Sequence, residues 1–155
     1  MKFLSITLSL FFYFSCSQKV VNNNMETQQT IVNLYEGVLT GAGEEGFTKE
    51  NIVIQSVEEW KSFLLKLDAV NKISEAFQTN IDFSKKSVIV AIDSVRNSTG
   101  FTIKINEVLQ KSNALEIVIK QNGPKPTDMV GMAITQPIHI VTINKTDKTI
   151  VFVEK

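Results

Sequence analysis

Cysteine, histidine, arginine and tryptophan each occur once in this chain, as Cys16, His139, Arg96 and Trp60, and proline occurs only three times. A single thiol cannot form an internal disulfide. One histidine and one cysteine are too few for a zinc site, which draws on several such ligands. No D-x-D-x-D-G calcium loop is present, and no metal or other cofactor is expected. A G-x-S-x-G elbow and a Walker loop are both missing. Sixteen basic and sixteen acidic residues balance, with no basic stripe, which sets nucleic-acid binding aside. No repeat with a period of about 20–50 residues is evident.

What is present begins with a wall of apolar residues. Met1 and Lys2 are followed by FLSITLSLFFYF, the twelve residues from Phe3 to Phe14. A positive start and a short apolar run form the pattern of a secretory signal. The run is too short for a spanning helix, which needs about 20 residues. Tyr13 and Phe14 are poor neighbours for ordinary signal peptidase, which prefers small residues. Ser15-Cys16 instead resembles the end of a lipobox, although Tyr13 stands where leucine is usual. Acylation gives the lone thiol a use. Each buried methylene contributes about 0.8 kcal/mol, so two or more fatty chains such as palmitate anchor a protein stably. The expected organisation is a lipoprotein signal peptide over 1–15, a lipidated Cys16 with a flexible linker over 16–30, and one domain over 31–155. The linker SQKVVNNNMETQQT is polar and has no apolar period. The protein is thus expected in the cell envelope, lipid-anchored at the outer membrane or periplasmic face.

Within the domain, IVNLYEGVL at 31–39 and NIVIQ at 51–55 read as strands, joined by a loop with three glycines. Ser56 and Glu59 form a capping box. Val57, Trp60, Phe63, Leu64 and Leu67 then fall at helical spacing, which predicts a helix over 56–67. A second, shorter helix is expected over 69–77. SVIVAID at 87–93 is a continuous apolar run of the kind found in strands covered on both faces. FTIKINEV at 101–108 and LEIVIKQ at 115–121 alternate, as half-buried strands do. MVGMAIT at 129–135 is expected to be an irregular strand, ended by Pro137. HIVTIN and TIVFVE are expected to form a last hairpin around KTDK. The predicted class is α+β: a mostly antiparallel sheet of about seven or eight strands with one firm helix, 56–67, packed on it.

Few residues suggest chemistry. GAGEEG at 41–46 has the spacing of a dinucleotide fingerprint. No helix opens after it, and its acidic residues would repel a pyrophosphate, so it reads as a loop. The adjacent pairs Glu44-Glu45 and Glu58-Glu59 read as solvated surface. His139 lies in an apolar strand and reads as a structural histidine rather than a general base. Asn97-Ser98-Thr99 and Asn144-Lys145-Thr146 match the glycosylation pattern, which is common by chance. One segment suits partner binding: NGPKPTDMVGM at 122–132. Pro124 and Pro126 stiffen it, while Met129 and Met132 offer adaptable apolar contacts. The plainer alternative is a crossover with its methionines in the core.

The stretch STGFTIKINEVLQKSNALEIVIKQNGPKPTDMVGMAITQPIHIVTI at 98–143 resembles the PrcB C-terminal domain family. It shows Thr99-Gly100-Phe101 opening a strand, a hairpin at 111–114, Pro124 and Pro126 in a loop, and Thr135-Gln136-Pro137-Ile138 before a final strand. VIQSVEEWKSFL and NIDFSKKSVIVA resemble the family's helix and strand entry, so the likeness spans most of 36–143. The resemblance implies an exported lipoprotein subunit of a protease complex, and it brings no catalytic residues. The expected function is a non-catalytic bacterial envelope lipoprotein that binds a protease or another envelope protein, with the membrane as a second partner. The alternative is a lipid-anchored carrier of a small apolar ligand. Of the ten phenylalanines that could line a pocket, Phe3, Phe11, Phe12 and Phe14 fall in the N-terminal run.

Overall fold

The computed structural model describes residues 27–155. The expected signal peptide, Cys16 and the linker as far as residue 26 lie outside the described residues. Eight strands form two four-stranded sheets. The central sheet has the order β2 (Val32–Leu39), β7 (Gln136–Asn144), β4 (Lys86–Ile92), β3 (Glu50–Ile54), and every pairing in it is antiparallel. The outer sheet has the order β1 (Thr27–Gln28), β5 (Thr102–Gln110), β6 (Ala114–Asn122), β8 (Thr149–Glu154). Its β6–β8 pair is parallel. Thr27–Gln28, at the end of the stretch read as a linker, pair with Leu109 and Gln110 of β5.

One α-helix among the described residues, α1 (Val57–Leu67), packs on the far face of the central sheet. The layers therefore run helix, central sheet, outer sheet. That explains the unbroken apolar run of β4. Val88, Val90 and Ile92 face the helix with Ile138 and Ile140 of β7. Ile89 and Ala91 face the outer sheet with Val141 and Ile143. Alternation survives only where one face meets water, as in β5, where Ile103 and Ile105 are buried and Thr102 and Lys104 are exposed.

The capping box forms as its spacing dictates. Glu59 N–H donates to Ser56 Oγ (3.2 Å), and Ser56 N–H donates to Glu59 Oε2 (3.2 Å). Trp60, Phe63 and Leu67 are buried, and the Trp60 indole stacks on Phe63 at 5.6 Å. Its Nε1–H donates to the Thr79 carbonyl (2.7 Å). Val57, expected on the same face, is exposed in the first turn.

Several expectations need correction. The second helix shrinks to one 3₁₀ turn, Ile73–Ala76, with no side-chain N-cap. The last two strands are not a hairpin. Both edges of β7 are already taken, by β2 and β4, so β8 crosses to the outer sheet. There Ile150 and Phe152 close the layer between the sheets. Pro137 does not interrupt β7 but sits second in it, opposite Val38. Its missing N–H is tolerated at a strand start, and its carbonyl accepts Asp93 N–H (2.9 Å). The segment 129–135 is not a strand: only Thr135 pairs, in an isolated bridge with Arg96.

Candidate partner-binding platform

Where β4 leaves the central sheet and β7 enters it, two loops lie side by side: residues 93–101 and residues 123–135. Their join is a clamp centred on Arg96. Asp93, only 1% exposed, receives the Arg96 guanidinium through Nε (3.0 Å to Oδ2) and Nη2 (2.9 and 2.7 Å). Ser94 N–H adds a bond to Asp93 Oδ1 (2.8 Å). A buried carboxylate needs such multiple donors. The guanidinium also lies 4.7 Å from the centroid of the Phe101 ring, a cation–π distance. The backbones of Arg96 and Thr135 exchange both hydrogen bonds (2.7 and 2.9 Å).

Further contacts pin the second loop along its length. Thr99 N–H donates to Gly131 O (3.0 Å), and Gly131 N–H donates to Thr99 Oγ1 (2.8 Å). Thr135 Oγ1 donates to Ser98 O (3.0 Å). Gln136 Nε2, buried, donates to Phe47 O (3.1 Å) and Asp93 O (3.0 Å). Gly100 has φ of +93°, and a Cβ there would meet Pro124 and Val130 at 3.3–3.4 Å. Between Pro124 and Pro126, Lys125 N–H donates to Asp128 Oδ2 (2.7 Å), and Asp128 N–H donates to Lys125 O (2.9 Å), closing a tight turn.

This scaffold holds apolar side chains outward. Met129 is 101% exposed and Met132 100%. Val95, Val130 and Ile134, on the same two loops, are also exposed. The structure thus brings Pro124, Pro126, Met129 and Met132 onto one fixed loop, with the methionines outside the core. The sequence reading gave no role to the clamp residues Asp93 and Arg96, and placed Thr135 and Gln136 only in the step before a final strand. The available signal was an aspartate ending a fully apolar strand, with the only arginine three residues later.

The other candidates resolve differently. His139 is 2% exposed and lies between the sheets. Its Nδ1 accepts Ile105 N–H (2.8 Å), which leaves Nε2 to carry the proton and donate to Asn33 Oδ1 (3.2 Å). The register slips near both contacts, between Asn33 and Tyr35 in β2 and between Ile105 and Glu107 in β5. Such bulges free backbone groups from the ladder, and the imidazole meets the freed Ile105 N–H. Burial pushes its pKa down; the Glu36 carboxylate, 3.8 Å away, opposes this, and Lys104 adds slightly to it.

Glu45, expected at the surface, is only 3% exposed. Its Oε1 accepts Gly41 N–H (3.2 Å) and Asn71 Nδ2–H (3.4 Å), tying the 41–46 loop shut. That loop turns through Ala42, Gly43 and Gly46 at positive φ. Glu58 is exposed, whereas Glu59 is committed to the cap.

The family model described as PrcB C-terminal matches residues 87–144. The matched span runs from β4 to the end of β7 and contains both loops of the platform. No curated protein and no solved structure matches the chain. Residues 87–144, under half of the chain, are therefore similar to the PrcB C-terminal family.

Proposed function

We propose that this protein is a non-catalytic docking module of the bacterial cell envelope, tethered through an acylated Cys16, whose methionine platform binds another envelope protein, in the first instance a protease. The observation that carries the reading is the full exposure of Met129 and Met132 on a loop fixed at both flanks. Soluble monomers seldom hold large apolar side chains outward on a fixed scaffold without a use for them. A loop already held in place loses little entropy on docking, and methionine adapts to irregular surfaces.

The geometry also favours this reading over two others. Both ring nitrogens of His139 are engaged in the interior, which suits a structural role rather than a general base. The space between the sheets, which a carrier would keep open, is filled by Ile89, Ile103, Ile105, Val108, Ile117 and Val141 among others. The protease assignment comes from the family resemblance, and the anchor from the Ser15-Cys16 junction.

The test is photo-crosslinking in cells, with a diazirine amino acid placed at 129 or 132 and adducts identified by mass spectrometry. An envelope protein should be captured, and capture should disappear in the Met129→Ser, Met132→Ser double variant probed from 130. Recovery of monomer alone would end the platform reading. The anchor is tested separately: Cys16→Ala should abolish labelled palmitate incorporation and release the protein from membranes.

A further inference from the structure

The four outer edges of the two sheets are not alike. β1 is two residues long, and β2 carries a register slip after Asn33. Short or bulged edges discourage strand addition. β3 has neither device. Its sequence, Glu-Asn-Ile-Val-Ile, holds no proline, lysine or glycine, and it pairs only with β4. Half of its backbone N–H and C=O groups therefore face away from the sheet. The fourth edge, β8, ends in an ion pair between Glu154 and Lys49 (2.6 Å) and lines no part of the groove that runs along β3.

That groove, about 610 Å³, lies between β3 and α1. Ile52, Ile54, Phe47 and Phe63 supply its apolar floor. Glu50 stands on the strand side and Glu58 on the helix side. Neither carboxylate has a hydrogen-bond or ion-pair partner among the described residues. The one cation lining the groove, Lys66, is turned onto the Phe47 ring at 4.2 Å. An open strand edge, an apolar floor and two unpaired carboxylates on opposite walls define the chemistry of an occupant.

We infer that the groove between β3 and α1 accepts an extended, basic peptide segment of another protein, which adds as a further strand on β3. Backbone hydrogen bonds to β3 hold it in register. On its α1-facing side, which carries every second residue, apolar side chains cover Ile52 and the rim of Phe63, and lysine or arginine side chains at either end of that same side meet Glu50 and Glu58. This mode of recognition takes its affinity from main-chain pairing and its selectivity from the alternate side chains. The inference does not rest on the methionine platform, since it uses a different surface.

The experiment uses the full chain and three synthetic octapeptides: a Lys–Val peptide, Lys-Thr-Val-Thr-Val-Thr-Lys-Thr, with its lysines and valines on one face; a Glu–Val peptide with glutamate for both lysines; and a proline peptide, the first with its two central residues, Thr-Val, replaced by Pro-Pro. Binding is followed by amide chemical shifts and by hydrogen exchange at 50–54. The Lys–Val peptide should bind and slow exchange of the outward β3 amides. The Glu–Val peptide should bind at least about tenfold more weakly, as expected for two reversed charge contacts of roughly 0.7 kcal/mol each. The proline peptide should bind at least about tenfold more weakly, because one of two adjacent prolines must remove a donor aimed at β3. A Glu50→Lys, Glu58→Lys double variant should reverse the preference for charge. Equal binding of the proline peptide would overturn strand addition. Equal binding of the Glu–Val peptide would overturn the basic partner. Outward β3 amides already protected without peptide would overturn the inference in favour of an internal occupant, and protection that grows with protein concentration would overturn it in favour of a second copy.

Discussion

The two faces of the central sheet are packed with different chemistry. On the helix side, Phe47, Trp60, Phe63 and Phe83 fill the gap beneath α1. Between the sheets the buried cluster is wholly aliphatic: isoleucine, valine, leucine and one alanine. A helix over a twisted sheet leaves uneven space, which broad rings fill, and the Trp60 indole finds a carbonyl at its rim. Two sheets pack at a near-constant spacing of about 10 Å, and β-branched side chains interdigitate there. His139, which shares that layer with the buried Ser87, is accommodated because two irregular strands supply its partners. The lesson is that the aromatic face depends on a few large contacts, while the aliphatic face spreads its stability over many small ones.

Trp60→Ala should break the first face. Loss of a buried aromatic removes about 3–5 kcal/mol, seen as a lower urea midpoint. His139→Leu strikes a polar guest of the second face. It strands the buried Ile105 N–H and should cost about 1–3 kcal/mol at neutral pH.

The same residue makes the aliphatic face sensitive to acid. The folded pKa of His139 lies below its unfolded value of about 6.5. The unfolded chain therefore binds more protons as pH falls below that value. The contribution of His139 is fully present above about pH 6.5 and is lost as pH drops through the folded pKa. Denaturant midpoints between pH 8 and 5 should show a fall that the His139→Leu variant lacks.

Ile117→Val should cost only about 0.5–1.5 kcal/mol, consistent with stability shared among many neighbours. The Met129→Ser, Met132→Ser variant should change stability by less than about 0.5 kcal/mol, since neither side chain touches either face. A loss of several kcal/mol there would mean that the platform is part of the fold rather than an addition to it.

Much of this architecture was legible in the sequence because it is written locally. The Ser56–Glu59 cap, the alternation of β5 and β6, and the double-sided run of β4 each follow from residues a few positions apart. The partition of the strands is not local. HIVTIN and TIVFVE look like hairpin arms, and nothing within them reports that β7 has both edges filled by strands from distant parts of the chain. Glu45 was misplaced for a similar reason: its burial depends on Asn71, which the loop sequence does not contain. At the platform, Pro124, Pro126 and Met129 stood out by type. The Arg96–Asp93–Thr135 clamp did not, because its meaning appears only once β4 and β7 lie side by side.

The parallel pairing of β8 with β6 carries a consequence for biogenesis. The chain is made, and in the proposed export route delivered, from its N-terminal end, so residues 149–154 arrive after the other described strands are available. Until then, Ile150 and Phe152 are missing from the seam they seal, and one margin of β6 lies bare. Nascent material paused at that point would display a sticky ribbon, and a chaperone has its clearest reason to attend in that interval.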